Sequence, residues 1–114
     1  NLDPHTSSGS HWVALYMDFN KRFIGFFDST GNLPPKEITK LMEKIIIQVN
    51  RCTGIKLNVK INHNKHQEKN TECGVYCLYY IYNCLIGKSF EEISNNIISD
   101  DDVNKYRDFF FIMY

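Results

Sequence analysis

The stretch HQEKNTECGVYCLYYIYN, residues 66–83, decides how this chain folds, because it joins a polar loop to the most apolar segment of the sequence. From Cys73 to Leu85 the residues are apolar on nearly every side, which predicts a central buried helix that Gly87 ends. Cys73 begins this helix and is followed at once by Gly74. A cysteine in this position could be core packing, a metal ligand or a nucleophile, and the rest of the sequence has to distinguish them.

Two strands are predicted ahead of this helix, at residues 11–18 and 22–29, and the short turn between them makes the pair a hairpin. The first strand, HWVALYMD, carries apolar residues on both faces, which predicts a central strand buried on both sides. Residues 56–62 alternate apolar and polar side chains, the pattern of a half-exposed edge strand. Residues 1–10 are polar and predicted to form a loop.

Helices are predicted in the remaining segments. Pro34-Pro35 opens an amphipathic helix that Thr53-Gly54 ends. Its apolar stripe consists of Ile38, Leu41, Met42, Ile45, Ile46 and Val49. After the buried helix come a short helix at 89–98 and a last one capped by Asp100-Asp101-Asp102, with the stripe Val103, Tyr106, Phe110 and Met113. The order β-β-α-β-α-α-α predicts an α+β fold, in which a small mixed sheet packs on the central buried helix and further helices flank it.

Size and composition narrow the class of protein. The 114 residues suffice for one domain spanning 1–114, with 43% hydrophobic and 23% charged residues. The 13 basic and 13 acidic side chains cancel, which argues against a nucleic-acid partner, and the apolar runs are too short for a membrane span. Because the chain begins with Asn1 and not Met, we interpret it as an N-terminally truncated domain, and we expect it to be monomeric.

Cysteine usage favours a reducing, intracellular setting over a secreted one. Three of the four cysteines, Cys73, Cys77 and Cys84, lie within twelve residues on the predicted buried helix, and the fourth is Cys52. Two cysteines one helical turn apart would form a strained disulfide. We therefore expect free thiols in a reducing, intracellular compartment.

Cys73 is the best candidate nucleophile. At the N-terminus of a helix, the dipole and the unpaired N–H groups favour an anion, so a thiolate accumulates there. Gly74 leaves room for a substrate backbone to approach. Cys77 and Cys84 lie deeper in the helix and are predicted to be core residues.

A thiolate nucleophile requires a base, and His11 is the candidate. It opens the first predicted strand, where a buried imidazolium would be costly but an imidazole at a cleft suits general-base catalysis. Asp28 ends the second strand. In a hairpin turning at residues 19–20, residue 28 lies opposite His11, so the Asp28 carboxylate can orient the imidazole.

Gln67 lies six residues before Cys73, on the loop that precedes the helix. Acyl transfer needs hydrogen-bond donors aimed at the developing oxyanion. The Gln67 side-chain amide could act in this role together with the Cys73 backbone N–H.

A zinc site is the alternative interpretation. His63, His66, Cys73 and Cys77 offer two nitrogen and two sulfur ligands, the set that a structural zinc prefers. The chain would then be a zinc-stabilised interaction module. This interpretation leaves His11, Asp28 and Gln67 unexplained, and a cysteine pair one turn apart on so apolar a helix would hold the ion in the core.

Taken in order, His11-Trp12, Phe27-Asp28-Ser29, Gln67 and Cys73-Gly74-Val75-Tyr76 resemble the Ulp1/sentrin-type, ubiquitin-like-protein-specific clan of cysteine proteases. The opening NLDPHTSSGSHWVALYMD is most similar to the adenovirus-type and large-DNA-virus maturation proteases of that clan. The resemblance covers residue 11 to about residue 85.

The resemblance implies a papain-like cysteine protease core with His11 as base, Asp28 as its orienter, Cys73 as nucleophile and Gln67 as oxyanion donor. It implies that Trp12 lines the channel for a Gly-Gly tail. The implied reaction is hydrolysis of a peptide or isopeptide bond in a viral precursor or a ubiquitin-like protein, without metal or cofactor. An inactive pseudo-protease that only binds such substrates is a further alternative.

Overall fold

A computed structural model describes residues 11–69 and 71–111 of the chain. The strands are β1 (Ala14–Asp18), β2 (Phe23–Phe27) and β3 (Asn58–Ile61), and the helices are α1 (Lys36–Thr53), α2 (Cys73–Leu85), α3 (Phe90–Asn95) and α4 (Asp100–Phe110). The predicted α+β order of elements is confirmed. The predicted loop at residues 1–10 and the stripe position Met113 lie outside the described residues.

The three strands form one mixed sheet in the order β1-β2-β3, with β1 antiparallel and β3 parallel to β2. All five residues of β2 are buried, so β2 is the central strand. The prediction that residues 11–18 form the central strand is wrong: β1 lies at an edge, and its Met17 is 40% exposed. Both strands are apolar on both faces, so the side-chain pattern alone does not distinguish them. The prediction of an edge position for β3 is confirmed.

Helices cover both faces of the sheet. Phe23 and Phe27 of β2 pack with buried residues of α2, α3 and α4, whereas Ile24 and Phe26 pack with the apolar stripe of α1. This follows from the alternation of side chains across a strand. The stripe of α1 is as predicted except for Leu41, which is 44% exposed.

A glycine lets α2 lie close to the sheet. The phenol of Tyr80, on α2, is fully buried and donates a hydrogen bond of 3.1 Å to the carbonyl oxygen of Gly25. A β-carbon at Gly25 would lie 2.5 Å from the Tyr80 hydroxyl oxygen. The missing side chain therefore fixes the distance between the central strand and the helix that carries Cys73.

Local signals set the helix ends. The predicted bounds of α2 are confirmed, with Gly87 at φ 99° after its last turn. The prediction that Asp100-Asp101-Asp102 caps α4 needs correction, because the cap is Ser99, whose hydroxyl accepts a hydrogen bond of 3.1 Å from the Asp102 N–H. Asp100 instead turns into the core. The helix predicted at 89–98 ends already at Asn95.

Within the described ranges, no helix combines the length and the apolar character needed to cross a bilayer.

Candidate active site

The side chains of His11 and Asp28 are in direct contact. The Nε2 atom of His11 lies 2.9 Å from Oδ1 of Asp28. The register differs from the predicted one, since Ala14 pairs with Phe27 and a continued ladder would put Val13 opposite Asp28. The turn comprises residues 19–22, and Arg22, its last residue, adopts a left-handed conformation with φ 58°. His11 precedes β1 and reaches Asp28 through its side chain.

Asp28 is held rigidly at the end of β2. It is 2% exposed, and its Oδ1 atom also accepts hydrogen bonds from the backbone N–H of Thr30 at 2.9 Å and from the Thr30 hydroxyl at 2.7 Å. A carboxylate that accepts several hydrogen bonds keeps a fixed orientation. Asp28 can therefore fix the tautomer of His11: with Nε2–H donated to the carboxylate, Nδ1 is left as the proton acceptor.

Asn62 braces Asp28 from the end of β3, and the sequence analysis missed it. Its Oδ1 accepts from the Asp28 N–H at 2.8 Å, and its Nδ2 donates to the Asp28 carbonyl oxygen at 2.7 Å. Asn62 is completely buried. A buried side-chain amide needs partners for both of its ends, and here it joins the ends of two parallel strands. The only local signal for this role is that Asn62 directly follows the alternating apolar and polar residues of β3.

Cys73 is the first residue of α2 and is buried. The first turn of α2 contains no acidic residue, and the side chain of the N-cap residue Glu72 makes no cap hydrogen bond. The dipole of α2 favours an anion at this end of the helix. The preceding residue, Glu72, forms an ion pair with Arg107 of α4, with Oε2 and Nη2 2.6 Å apart, so its charge is paired.

A cavity of about 720 Å³ opens beside Cys73. Trp12, Cys73 and Gly74 all line it, together with apolar side chains of β1 and α2. Trp12 is 49% exposed, and a β-carbon at Gly74 would stand 3.9 Å from its Cδ1 atom. The indole ring therefore lies over the start of α2, and any side chain at position 74 would narrow the space between the ring and the helix. These three predicted site residues share one cavity.

The Gln67 side chain is buried and oriented by Ser29, the neighbour of Asp28. The Ser29 hydroxyl donates to Gln67 Oε1 at 2.6 Å, which identifies the amide oxygen, and Nε2 donates to the carbonyl oxygen of Lys69. One N–H of the amide is then left for another acceptor. Ser29 links the predicted oxyanion donor to the predicted orienting carboxylate, a connection that the sequence did not indicate.

Two of the other cysteines are core residues, as predicted. Cys77 and Cys84 are buried. Burial is the main cause that raises the pKa of Cys77 to about 12, with further contributions from Cys73 and Asp28, and burial raises the pKa of Cys84 to about 11. Both stay protonated thiols near neutral pH, the state expected of core cysteines.

The ligands of the alternative zinc site do not converge. His66 is buried with both ring nitrogens engaged: Nε2 donates to the Ser94 carbonyl oxygen at 3.0 Å, and Nδ1 accepts from the Ile98 N–H at 3.2 Å. His63 is exposed. Among residues 11–69 and 71–111, no group of three or more histidine, cysteine or acidic side chains is arranged to hold a metal ion. The geometry argues against the zinc-stabilised module.

The architecture, with a cysteine at the start of a central helix behind a small mixed sheet, is that of a papain-like cysteine protease core. Residues 4–114 match the family model described as the Ulp1 protease family, C-terminal catalytic domain. The chain belongs to this family of cysteine proteases, and the predicted resemblance is confirmed.

Viral proteins are among its relatives. R355 of Acanthamoeba polyphaga mimivirus, named as a candidate thiol protease, is 36% identical over 97% of this chain and 37% of its own length. The SUMO-1 cysteine protease S273R of African swine fever virus is 33% identical over 94% of this chain and 40% of its own length. A crystal structure of the African swine fever virus protease superposes with a TM-score of 0.85 at 31% identity, covering 96% of this chain and 41% of that one. The chain thus spans about two fifths of the length of these relatives.

The site residues predicted from the sequence divide into two groups in the structure. His11 and Asp28 are in contact and line a cleft at the start of α1, whereas Trp12, Cys73 and Gly74 line the cavity beside α2. Gln67 is connected to this arrangement through Ser29. Their catalytic roles stay predictions. Asn62 holds Asp28 and Ser29 holds Gln67, and neither contact was predicted.

Proposed function

We propose that this chain is the catalytic core of a cysteine peptidase that hydrolyses a peptide or isopeptide bond after a Gly-Gly-like sequence. The observation that carries the proposal is the 2.9 Å contact between His11 and the buried Asp28. The residue after His11, Trp12, lines the cavity that Cys73 also lines. Nucleophilic catalysis by cysteine requires a base that is oriented by a third group, and the Asp28 carboxylate holds the His11 imidazole in this way.

The first step activates the thiol. Nδ1 of His11 takes the proton of Cys73, and Asp28 stabilises the resulting imidazolium through its hydrogen bond from Nε2. The N–H groups at the start of α2 stabilise the thiolate. Because Thr30 and Asn62 hold Asp28 in place, the imidazole needs no reorganisation during the transfer.

In the second step the sulfur attacks the carbonyl carbon of the scissile bond. The oxygen of the tetrahedral intermediate accepts hydrogen bonds from the backbone N–H of Cys73 and from the remaining N–H of Gln67 Nε2. His11 returns its proton to the leaving amine, the C–N bond breaks, and a thioester forms. Water, deprotonated by His11, then attacks the thioester, which releases the carboxylic acid and restores the thiol.

The preference for glycine rests on the space between Trp12 and Gly74. A β-carbon on Gly74 would already be in van der Waals contact with the indole ring. A substrate segment that lies along Trp12 and Gly74 has little room for side chains on this side of the cavity, which favours glycine before the scissile bond.

The partner we propose is a protein with such a glycine-rich cleavage site. The name of the African swine fever virus relative, SUMO-1 cysteine protease, favours a ubiquitin-like protein as substrate, and the viral source of that relative makes a viral precursor the alternative. A functional thiol further favours a reducing compartment of the cell or a virion. We propose that the enzyme acts as a monomer and without nucleic acid.

A comparison of two cysteines tests the proposal. Cys73→Ala is expected to abolish cleavage of a fluorogenic Gly-Gly-aminocoumarin substrate, whereas Cys77→Ala retains it, since the Cys77 thiol stays protonated with a pKa of about 12. In a Cys52→Ser background, which removes the exposed thiol, mass spectrometry after limited treatment with iodoacetamide should find the label on Cys73. Full activity of Cys73→Ala contradicts the proposal. Binding of a Gly-Gly peptide without any cleavage would identify the pseudo-protease instead.

A further inference from the structure

The loop that carries Gln67 has its backbone held at four consecutive residues. The N–H groups of His66 and Gln67 both donate to the carbonyl oxygen of Ser29, each at 2.8 Å. The next two N–H groups, of Glu68 and Lys69, donate to the carboxylate of Asp100 on α4, at 3.1 and 2.8 Å to Oδ2. The Asp100 carboxylate therefore fixes the backbone of Glu68 and Lys69, and the Ser29 carbonyl oxygen fixes the backbone of His66 and Gln67.

Asp100 is placed for this contact by burial and by a third donor. Its side chain is 9% exposed, although it stands in the first turn of a helix beside the exposed Asp101 and Asp102. The hydroxyl of Tyr76, on α2, lies 2.9 Å from Oδ1 of Asp100 and shares its one proton with the carbonyl oxygens of Ile98, at 2.8 Å, and His66, at 3.2 Å. Burial raises the pKa of Tyr76, and the hydrogen bond to Asp100 raises it further, so the phenol stays a donor. The carboxylate thus joins α4, α2 and the loop.

The contact extends to the Gln67 side chain through one peptide unit. Asp100 fixes the N–H of Lys69, and the carbonyl oxygen of Lys69 accepts a hydrogen bond from Gln67 Nε2. Ser29 holds the other end of the same amide at Oε1. With the oxygen and one N–H committed, the direction of the second N–H of Gln67 is determined by the position of Lys69.

We propose that Asp100 is a positioning residue for catalysis: it fixes the loop so that the free N–H of Gln67 points at the oxyanion. The proposal rests on the proposed peptidase activity. A carboxylate suits this position because it accepts from two backbone N–H groups and a phenol at once. Asparagine has one acceptor oxygen and would turn an NH2 group toward donors, so the loop would be held less firmly.

The primary experiment compares Asp100→Asn with Asp101→Asn in the purified protein. Each removes one negative charge from the first turn of α4, but Asp101 makes no contact with the loop among the described interactions. Loss of an oxyanion donor lowers kcat by about 10²–10³-fold, so a misdirected donor should lower it by about tenfold or more in Asp100→Asn. KM should change little, and Asp101→Asn should match the parent. Equal kcat for both variants and the parent overturns the proposal.

A double-mutant cycle with Gln67→Ala separates positioning from general destabilisation. If Asp100 acts through Gln67, Asp100→Asn has no further effect on kcat once Gln67 is alanine. Independent, multiplicative losses would show that Asp100 supports the structure in another way and would overturn the inference. If Asp100→Asn fails to fold, Tyr76→Phe, which removes one donor from the same carboxylate, replaces it in the cycle with the same two outcomes.

The failure of this inference differs from the failure of the proposed function. If the parent protein does not cleave the Gly-Gly substrate and Cys73 is not alkylated selectively, the peptidase proposal itself is wrong. If the parent is active and Gln67→Ala is impaired, but Asp100→Asn behaves like the parent, only the role of Asp100 is wrong. Alkylation of Cys73 by iodoacetamide forms no oxyanion, so its rate should be the same in Asp100→Asn and in the parent.

Discussion

His11 and Asp28 are in hydrogen-bond contact at 2.9 Å although the β-ladder does not pair them. Continued beyond Ala14 and Phe27, the register would place Asp28 opposite Val13. The His11 side chain extends past Val13 to the Asp28 carboxylate. The contact therefore depends on how Asp28 is anchored by Thr30 and Asn62 and not on strand pairing alone. The same anchoring explains why the carboxylate is buried while the imidazole stays at the edge of a cleft.

Asp28→Asn should lower kcat for the Gly-Gly substrate by about 10³-fold or more, because the amide no longer stabilises the imidazolium and can favour the wrong tautomer of His11. The matched control is Asp18→Asn, which changes an aspartate at the far end of β1 that accepts a hydrogen bond from the Lys21 N–H. Steady-state kinetics measure both variants. Similar kcat values for Asp28→Asn and Asp18→Asn would remove Asp28 from the mechanism.

Gly74→Ala should separate stability from activity. Alanine is the better helix former by up to about 1 kcal/mol, so the free energy of unfolding is expected to stay the same or rise. The new methyl group stands 3.9 Å from Cδ1 of Trp12 and reduces the substrate path, so kcat/KM should fall. Denaturant unfolding and kinetics on one preparation measure the two effects. An undiminished kcat/KM would place the glycine segment of the substrate elsewhere.

Gly25→Ala should destabilise the fold, because its β-carbon would lie 2.5 Å from the Tyr80 hydroxyl oxygen. Forcing a methyl group into a packed core costs about 1–3 kcal/mol. Tyr80→Phe removes the clashing oxygen, so the loss in the double variant should be smaller than the sum of the two single losses. Thermal or urea unfolding of the three variants measures this coupling. Strict additivity would show that the loss arises from the Phe90 and Phe23 rings, 3.0 and 3.1 Å from the same β-carbon, and not from the Tyr80 hydroxyl.

Stability should fall in mild acid because of His66. Burial lowers the pKa of His66 below the usual 6.5, so the unfolded chain binds this proton more readily than the folded one. The neutral His66 therefore contributes to the free energy of unfolding in full above the pKa of the unfolded state. This contribution is lost as the pH falls through that value toward the pKa of the folded state, at up to about 1.4 kcal/mol per pH unit. His66→Gln should weaken this dependence between pH 7 and 5, whereas His63→Gln, at an exposed site, should leave it intact. Unfolding curves at several pH values decide between them.

Much of the fold was predictable because its signals are local. The bounds of α2 follow from an apolar run between a polar loop and Gly87, and the stripe of α1 follows from helical periodicity. Leu41 has the right spacing for this stripe but lies at its margin and remains exposed. The order of the strands was not predictable, since β1 and β2 are both apolar on both faces and only β2 has a neighbour on each side.

The sequence by itself determined the elements, their order and the set of candidate residues His11, Asp28, Gln67 and Cys73, because residue types, spacings and helix breaks are local properties. Only the tertiary structure decided how these residues are held. Asn62 contacts Asp28 across 34 positions, Ser29 contacts Gln67 across 38, and Asp100 contacts the loop across 31 and 32. Each brace joins a polar side chain to backbone or amide groups that become neighbours only when the sheet and α4 assemble around α2. No local pattern encodes such a partner, because the hydrogen bonds that these buried polar groups require come from distant parts of the chain.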